Sequence, residues 1–297
     1  MRRYHVCLVL CRMMGPLRVI VAEWPQNQFF NMALEEAIYL EAKRPTLRLW
    51  RNDRAVIIGR YQSPILEVNA LEAKKLGVKL VRRFTGGGAV YHDLGNVNYA
   101  LTLPSCESID IEAMFRLMGE AIVEALKSLG INGACYRPLN DIEVNGLKIS
   151  GMAASRTSNR AFIHGAMLVS SDISTLWRIL KISKEKLSDK KLTESKIKRV
   201  TTVREALGKD ISLNEVYEVV ANAIAEKFAF KAMWGEVEYD EIKRSLDLYR
   251  RKYSKLEWNL AYVNELKALI SKEEENALKD ISTPDPAQER AIEGLEA

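Results

Sequence analysis

The run Arg82-Arg83-Phe84-Thr85-Gly86-Gly87-Gly88-Ala89-Val90-Tyr91-His92-Asp93-Leu94-Gly95-Asn96-Val97-Asn98-Tyr99 restricts this chain more than any other stretch. Two arginines enter three consecutive glycines, with strand-like apolar residues before and after. Glycine loses the most backbone entropy on folding and gives no side chain to a core, so packing does not explain a triple. Glycines serve where a backbone bends sharply or comes close to a ligand. An arginine beside them points to a ligand with phosphate or carboxylate oxygens. The plain alternative is a tight bend between two strands, for which one glycine suffices.

Two familiar phosphate loops are excluded. A Walker A loop needs Gly-Lys-Ser/Thr after its spaced glycines, and Gly88 is followed by Ala89-Val90. A dinucleotide fingerprint needs a further glycine where Tyr91 stands. A second cluster runs from Leu139-Asn140-Asp141 through Asn145-Gly146 to Lys148-Ile149-Ser150-Gly151. Asn-Gly suits a type I′ turn, so residues 142–149 read as a hairpin that folds Lys148 back towards Asp141. Lys148 reads equally as a point charge for a phosphate and as a solvent-facing strand lysine. A third element, Ile163-His164-Gly165-Ala166, opens an apolar strand. A lone histidine there is more often hydrogen-bonded structure than a catalyst.

Taken in order, residues 17–23 read as a strand and 27–42 as an amphipathic helix. Short strands over 46–50 and 55–58 flank the turn Arg51-Asn52-Asp53. One helix is expected over 66–76, stopped by Gly77, then a strand over 78–81. Residues 89–91 and 97–103 are expected to pair as a hairpin around 92–96. Helices follow over 111–129, 173–180, 213–228 and 238–253, with a strand over 161–169. Residues 183–199, dense in lysine and serine, read as an exposed loop. Acidic residues with Pro284 and Pro286 make order doubtful from Ser271 onward. Strict βαβ alternation is missing, so the fold class is α+β: a mixed, mostly antiparallel sheet with helices packed on one face.

At 47% hydrophobic and 28% charged the chain has an ordinary globular composition, with no apolar run of the ~20 residues a membrane span needs. The net charge of +5, with Lys and Glu interleaved, argues for a solvated surface rather than a nucleic-acid stripe. Cys7, Cys11, Cys106 and Cys135 form no C-x-x-C pair, so the expected setting is reducing and cytoplasmic. Residues 1–14 faintly resemble a signal peptide, but the apolar part is too short. They read as a loose leader, with Met13 and Met14 as alternative starts.

Together the clusters resemble the catalytic domain of the lipoate–protein ligase A family, of archaeal type, within the biotin/lipoate ligase superfamily. The family pattern Arg-Arg-x-x-Gly-Gly-Gly-x-Val-x-x-Asp-x-Gly-Asn is matched throughout from Arg82 to Asn96. Asn140-Asp141, the Gly-x-Lys-x-x-Gly of Gly146 to Gly151, and His164-Gly165 match its other motifs. Lys252-Tyr253-Ser254 and Glu257-Trp258-Asn259 look like the end of the archaeal-type domain. The resemblance spans about residues 17 to 262. It divides the chain into the leader 1–14, a catalytic domain over 15–265 and a charged tail over 266–297. The implied fold is that of class II synthetases and biotin ligases.

The resemblance implies two steps. Lipoate and ATP give lipoyl-AMP and pyrophosphate, and the lipoyl group then passes to a lysine of an acceptor domain. Acceptors implied are the glycine cleavage H protein and the acyltransferase subunits of 2-oxoacid dehydrogenases. Arg83 and Lys148 become the catalytic candidates, with Mg²⁺ as a third cation. Gly86, Gly87 and Gly88 would offer backbone N–H groups to the phosphate. Ala89, Val90 and Tyr91 would run along the nucleotide. His92, Asp93, Asn140, Gly151, His164 and Ala166 complete the expected ATP and lipoyl-AMP set. Asp141 would hold Mg²⁺ or orient Lys148.

Bacterial members carry a further C-terminal domain, whereas here 37 residues follow Trp258-Asn259-Leu260. A separate small accessory subunit is therefore expected. The nearest rival is an octanoyl or lipoyl transferase that dispenses with ATP and uses Cys135, thirteen residues before Lys148. Biotin ligase is a weaker rival, because its glycine signature differs. A non-catalytic module that captures a lipoyl domain is the rival from another class. No membrane or nucleic-acid partner is expected.

Overall fold

The computed structural model describes residues 15–104, 110–181 and 200–295. The leader over 1–14, the loop over 183–199, Cys7, Cys11 and Cys106 lie outside the described residues. In order, the elements used below are β1 Leu17–Val21, α1 Gln28–Glu41, β2 Thr46–Trp50, β3 Ala55–Ile58, α2 Ala70–Lys75 and β4 Lys79–Arg82. Then come β5 Val90–His92, β6 Asn96–Pro104, α3 Ile111–Ser128, β7 Ala134–Arg137, β8 Asp141–Val144 and β9 Leu147–Arg156. The last are β10 Arg160–Leu168, α4 Leu213–Lys227, β11 Ala232–Trp234, α5 Tyr239–Leu248, α6 Lys272–Ile281 and α7 Pro286–Glu293.

Eight strands form one sheet in the order β11-β1-β2-β6-β10-β9-β8-β7. β1 runs parallel to β2 and β11, and the other pairs are antiparallel. The parallel β1/β2 pair needs a crossover, which α1 supplies, capped by Asn27 accepting from the Phe30 amide. The α+β class and the mixed, mostly antiparallel sheet hold. The register 142–150 is a hairpin as expected, with Asn145 at φ 51° and Gly146 at φ 80°, both left-handed as a type I′ turn requires.

Two features depart from the sequence reading. First, β5 does not pair with β6. It joins β3, antiparallel, in a separate sheet ordered β4-β3-β5. The turn over 51–53 thus carries the chain from one sheet to the other rather than along one. Second, helices cover both faces of the large sheet. α3 and α4 bury Met114, Leu117, Ile122, Val216, Val220 and Ile224 against Leu47, Leu49, Val97, Leu101 and Ile163. α1 lies on the opposite face, with Leu34 and Ile38 against Ile20, and Tyr39 against Ala100 and Phe162. Side chains alternate along a strand, so each inner strand feeds both layers.

Smaller departures have local causes. The helix expected over 66–76 breaks at Val68, which bridges to Leu180, and Asn69 caps a new start at α2. The tail expected to be loose is helical. Ser271 with Glu274, and Asp285 with Gln288, form capping boxes for α6 and α7. Their apolar stripe, Ala277, Leu278 and Ile281 on α6 and Ile292 on α7, is buried against the small sheet and α1. Leu278, Ile281 and Ile292 each contribute about 1.5–3 kcal/mol of burial. Residues 266–295 therefore pack onto the 15–265 unit rather than trailing from it. Among the described residues no helix is long and apolar enough to cross a membrane.

Candidate functional site

A cleft of about 610 Å³, including its open mouth, lies between α1, the glycine loop and the α1 face of the large sheet. The glycine loop, Lys148 and His164, far apart in sequence, all line it or touch its wall. Strand alternation explains the meeting. Trp50 on β2, Asn98 on β6, and His164 and Ala166 on β10 share the face opposite the apolar layer of α3 and α4.

Arg83 shapes the loop. It is 4% exposed, and its guanidinium donates to the carbonyls of Ile57, Gly86 and Gly88 and to the Thr85 hydroxyl, at 2.6–3.1 Å. The loop carbonyls are thus drawn towards a buried cation. Among the described residues no partner meets the Gly87 and Gly88 amides, which suits them to an anion. Burial pushes the Arg83 pKa down to about 10, with Glu35 opposing, so the group stays cationic at neutral pH. Gly87 has φ +89°, and a Cβ there would stand 3.0 Å from the Arg83 Nη2. A Cβ on Gly86 or Gly88 would meet nothing within 4 Å. Their lack of a side chain is not demanded by the protein itself.

Lys148 reaches across β8/β9 to Asp141, Nζ to Oδ1 2.6 Å. Gly151 makes room for this. A Cβ there would be 2.8 Å from the Lys148 Nζ and 3.5 Å from the Asp141 carboxylate. Lys148, Asn140 and Gly151 line the cleft, and Asp141 stands beside it through the ion pair.

A hydrogen-bond chain runs through the wall. The Arg83 Nε donates to the Thr85 Oγ1 (3.1 Å), Thr85 meets the His164 Nε2 (2.8 Å), and the His164 Nδ1 meets the Glu35 Oε1 (3.0 Å). A guanidinium can only donate, so Thr85 accepts from Arg83, and its hydroxyl hydrogen remains available to the His164 Nε2 in the tautomer that turns Nδ1–H to Glu35. His164 is thus both structural, as expected for a lone strand histidine, and part of the cleft. His92 is 4% exposed. Burial, then Arg83 and His164, lower its pKa to about 3, so it is neutral. Asn52 donates to its Nδ1, and among the described residues its Nε2 and the Asn98 amide have no partner. The inner end of the cleft is therefore polar on one side. Met32, Ile57, Met152 and Ala153 make the rest apolar.

Of the residues singled out in the sequence, Arg83, Gly87, Gly88, Ala89, Val90, His92 and Lys148, and with them Asn140, Gly151, His164 and Ala166, line this one cleft. Four residues do not line the cleft. Gly86 turns its carbonyl to Arg83. Tyr91 points the other way on β5, buried with Val56 and Leu80 in the small-sheet core, because its neighbours Val90 and His92 take the cleft face. Asp93 caps a turn, accepting from the Gly95 and Asp172 amides. Asp141 acts through Lys148. Cys135 is exposed on the edge strand β7 and is not among the cleft residues. The sequence reading misses Met32, Glu35, Trp50 and Asn98, which carry no local signal because only the tertiary fold brings them together.

Residues 27–225 match the model of the lipoyl protein ligase A/B catalytic domain. Lipoate-protein ligase A subunit 1 of Thermoplasma acidophilum is 36% identical over 258 residues, covering 82% of this chain and 96% of the relative. A solved archaeal lipoylation system from that organism, a bi-partite lipoate protein ligase and its E2 lipoyl domain, matches with TM-score 0.75. Identity there is 36%, over 83% of this chain and 96% of the matched one. A lipoate-protein ligase A bound with ATP matches with TM-score 0.74 at 34% identity, over 82% of this chain and 98% of that one.

Proposed function

The chain belongs to the lipoyl protein ligase A/B catalytic family, and from that premise we propose that it activates lipoate with ATP and transfers the lipoyl group to a lysine of an acceptor lipoyl domain. The observation that carries the reading is a convergence on one cleft. Lys148 stands on one side, and the unpartnered Gly87 and Gly88 amides on the other, with the Arg83 cation behind them.

In the first step a lipoate carboxylate oxygen attacks the α-phosphorus of ATP, and pyrophosphate leaves with the bonding pair. Two anions approach each other, so the site must offset their repulsion. Lys148 does so as a mobile point charge, steered by Asp141. Arg83 works at one remove. It holds the Gly86 and Gly88 carbonyls, fixing the loop's shape, and adds its positive field. In the second step the acceptor lysine nitrogen attacks the acyl carbon, an amide forms, and AMP leaves. Lys148 then faces the acyl oxygen as charge gathers on it.

Among the described residues no three metal-ligating side chains cluster. A Mg²⁺ bound with ATP would need only one or two carboxylates from the protein. Asp141, beside Lys148, would be the carboxylate to hold it. The ion would screen phosphate charge. The Thermoplasma relative is one subunit of a bi-partite ligase, so this chain is proposed to act with a second small subunit, in the cytoplasm.

The test is the mass of a purified lipoyl domain incubated with the chain, lipoate and ATP, with and without the second subunit. The expected result is one lipoyl adduct that requires ATP. An adduct formed from an octanoyl donor without ATP, and lost in Cys135→Ala, would instead establish the transferase.

A further inference from the structure

Arg82, beside Arg83, does a different job. It is fully buried, and its guanidinium donates to six main-chain oxygens from two separate segments. Gly59, Arg60 and Gln62 belong to the first segment, at 2.6–3.0 Å. Trp258, Asn259 and Ala261 belong to the second, at 2.8–3.2 Å. The Arg82 amide donates to the Asn259 Oδ1, and the Trp258 Nε1 donates to the Arg82 carbonyl. Among the described residues it makes no ion pair. Its guanidinium also lies 5.4 Å from the centre of the Tyr262 ring, and a buried cation with no carboxylate partner carries a desolvation cost that these carbonyls must offset.

Each segment leads somewhere. Residues 59–62 lie beneath the glycine loop. The Arg60 amide donates to the Thr85 carbonyl at 2.8 Å, and a Cβ on Gly59 would stand 2.1 Å from the Gly87 oxygen. The loop therefore has no freedom to shift unless 59–62 shifts with it. Residues 258–261 lead to the C-terminal helices, because the Asn259 Nδ2 donates to the Ser282 carbonyl at the end of α6. α6 and α7 are docked independently. Lys79 donates to the Thr283 carbonyl, and Gln288 donates to the Gln26 carbonyl and the Gln28 side chain at the start of α1. These helices lie outside the family-matched residues 27–225.

We propose that Arg82 is a positioning residue of the site and that, through it, the α6–α7 pair holds the glycine loop in its anion-receiving shape. Ligand binding in the cleft and docking of the helix pair are then linked in both directions. The proposal rests on the acyl-adenylate reading of the cleft.

The experiment uses the full chain and a sulfamoyl analogue of lipoyl-AMP, which cannot transfer its acyl group. Amide exchange is followed across residues 272–293, with α4 as internal reference, and affinity is measured by calorimetry. In the wild type the analogue should slow exchange in 272–293 beyond any change in α4. Ile281→Ala combined with Ile292→Ala, neither of which lines the cleft, loosens the pair and should weaken the analogue about tenfold. Arg82→Lys keeps a charge but loses the planar fork. It should weaken the analogue similarly while 272–293 stops responding to it. Wild-type affinity in a double variant whose helices exchange freely would overturn the coupling, as would binding that leaves 272–293 unchanged. A wild type that binds no analogue at all would overturn the reading of the cleft instead.

Discussion

On the α3–α4 side of the large sheet the strands present Leu47, Leu49, Val97, Leu101, Leu103 and Ile163. One residue along, the same strands present Arg48, Trp50, Asn98 and His164 to the other side. Both layers are largely buried, yet the second holds buried Arg48, Glu35, Arg83 and His92 together with the partly exposed His164. The Arg48 guanidinium donates to the Ala22 and Asn31 carbonyls and lies 4.6 Å over the Trp50 ring. Burial pulls its pKa down to about 9. One face thus lowers the free energy of the fold through apolar burial, and the other spends part of that gain on desolvated polar groups that can meet a ligand. Residue parity on a strand decides which role a side chain takes.

The sharpest way to break this division is a matched pair of variants. Lys148→Ala should cut lipoate-dependent ATP–pyrophosphate exchange by about 10³-fold, near 4 kcal/mol in the barrier. Its urea midpoint should not move, because Lys148 is half exposed and packs into no core. Leu117→Ala on α3 should do the reverse. Leu117 is fully buried, so about 3 kcal/mol of stability should go, with lipoate affinity unchanged. If the core variant loses affinity, or the lysine variant unfolds, the two faces are not separable.

How far sequence alone reaches follows the same division. The glycine loop, the hairpin at Asn145-Gly146 and the meeting of Lys148 with Asp141 are legible because each rests on local backbone rules. The pairing of β5 with β3 is not, since non-local register leaves no mark within either strand. Glu35 and Trp50 are unreadable for that reason too: both look like ordinary residues of an amphipathic helix and a short strand. The C-terminal helices are a different failure. Ser271-x-x-Glu274 and Asp285-Pro286-x-Gln288 are legible start signals, and acidic residues in a first turn suit the helix dipole. Counting charge and proline over the whole segment hides them. Arg82 and Arg83 mark the limit most clearly. Adjacent at the end of β4, they read as one basic pair, but Arg82 holds residues 59–62 and 258–261 whereas Arg83 holds the glycine loop.

Acid should expose the polar face selectively. His92 has an ordinary value near 6.5 when unfolded and about 3 in the native cleft. As pH falls through 6.5, the unfolded chain takes up a proton that the native chain refuses. Its contribution is therefore intact above 6.5 and is lost below it, by about 2 kcal/mol at pH 5. Urea unfolding at pH 7.5 and 5 should show that loss in the wild type and a smaller one in His92→Gln. Equal slopes would mean the imidazole is not held neutral.

The smallest effect bears most directly on the glycine triple. Gly87 is required by the loop itself, given its left-handed φ of +89° and the crowding against Arg83. Gly88 is not, because its backbone is ordinary and a Cβ would meet nothing within 4 Å. By backbone entropy alone Gly88→Ala should stabilise the fold, by about 0.4–1 kcal/mol. If the third glycine is there so that a ligand can lie against bare backbone, the added methyl should weaken the lipoyl-AMP analogue about tenfold, near 1.4 kcal/mol. Calorimetric affinity and a thermal midpoint on the same sample separate the two terms. A variant that is more stable and binds more weakly places the glycine in the service of the ligand. One that binds as well as the wild type leaves only Gly87 explained, and the loop becomes a bend with space to spare.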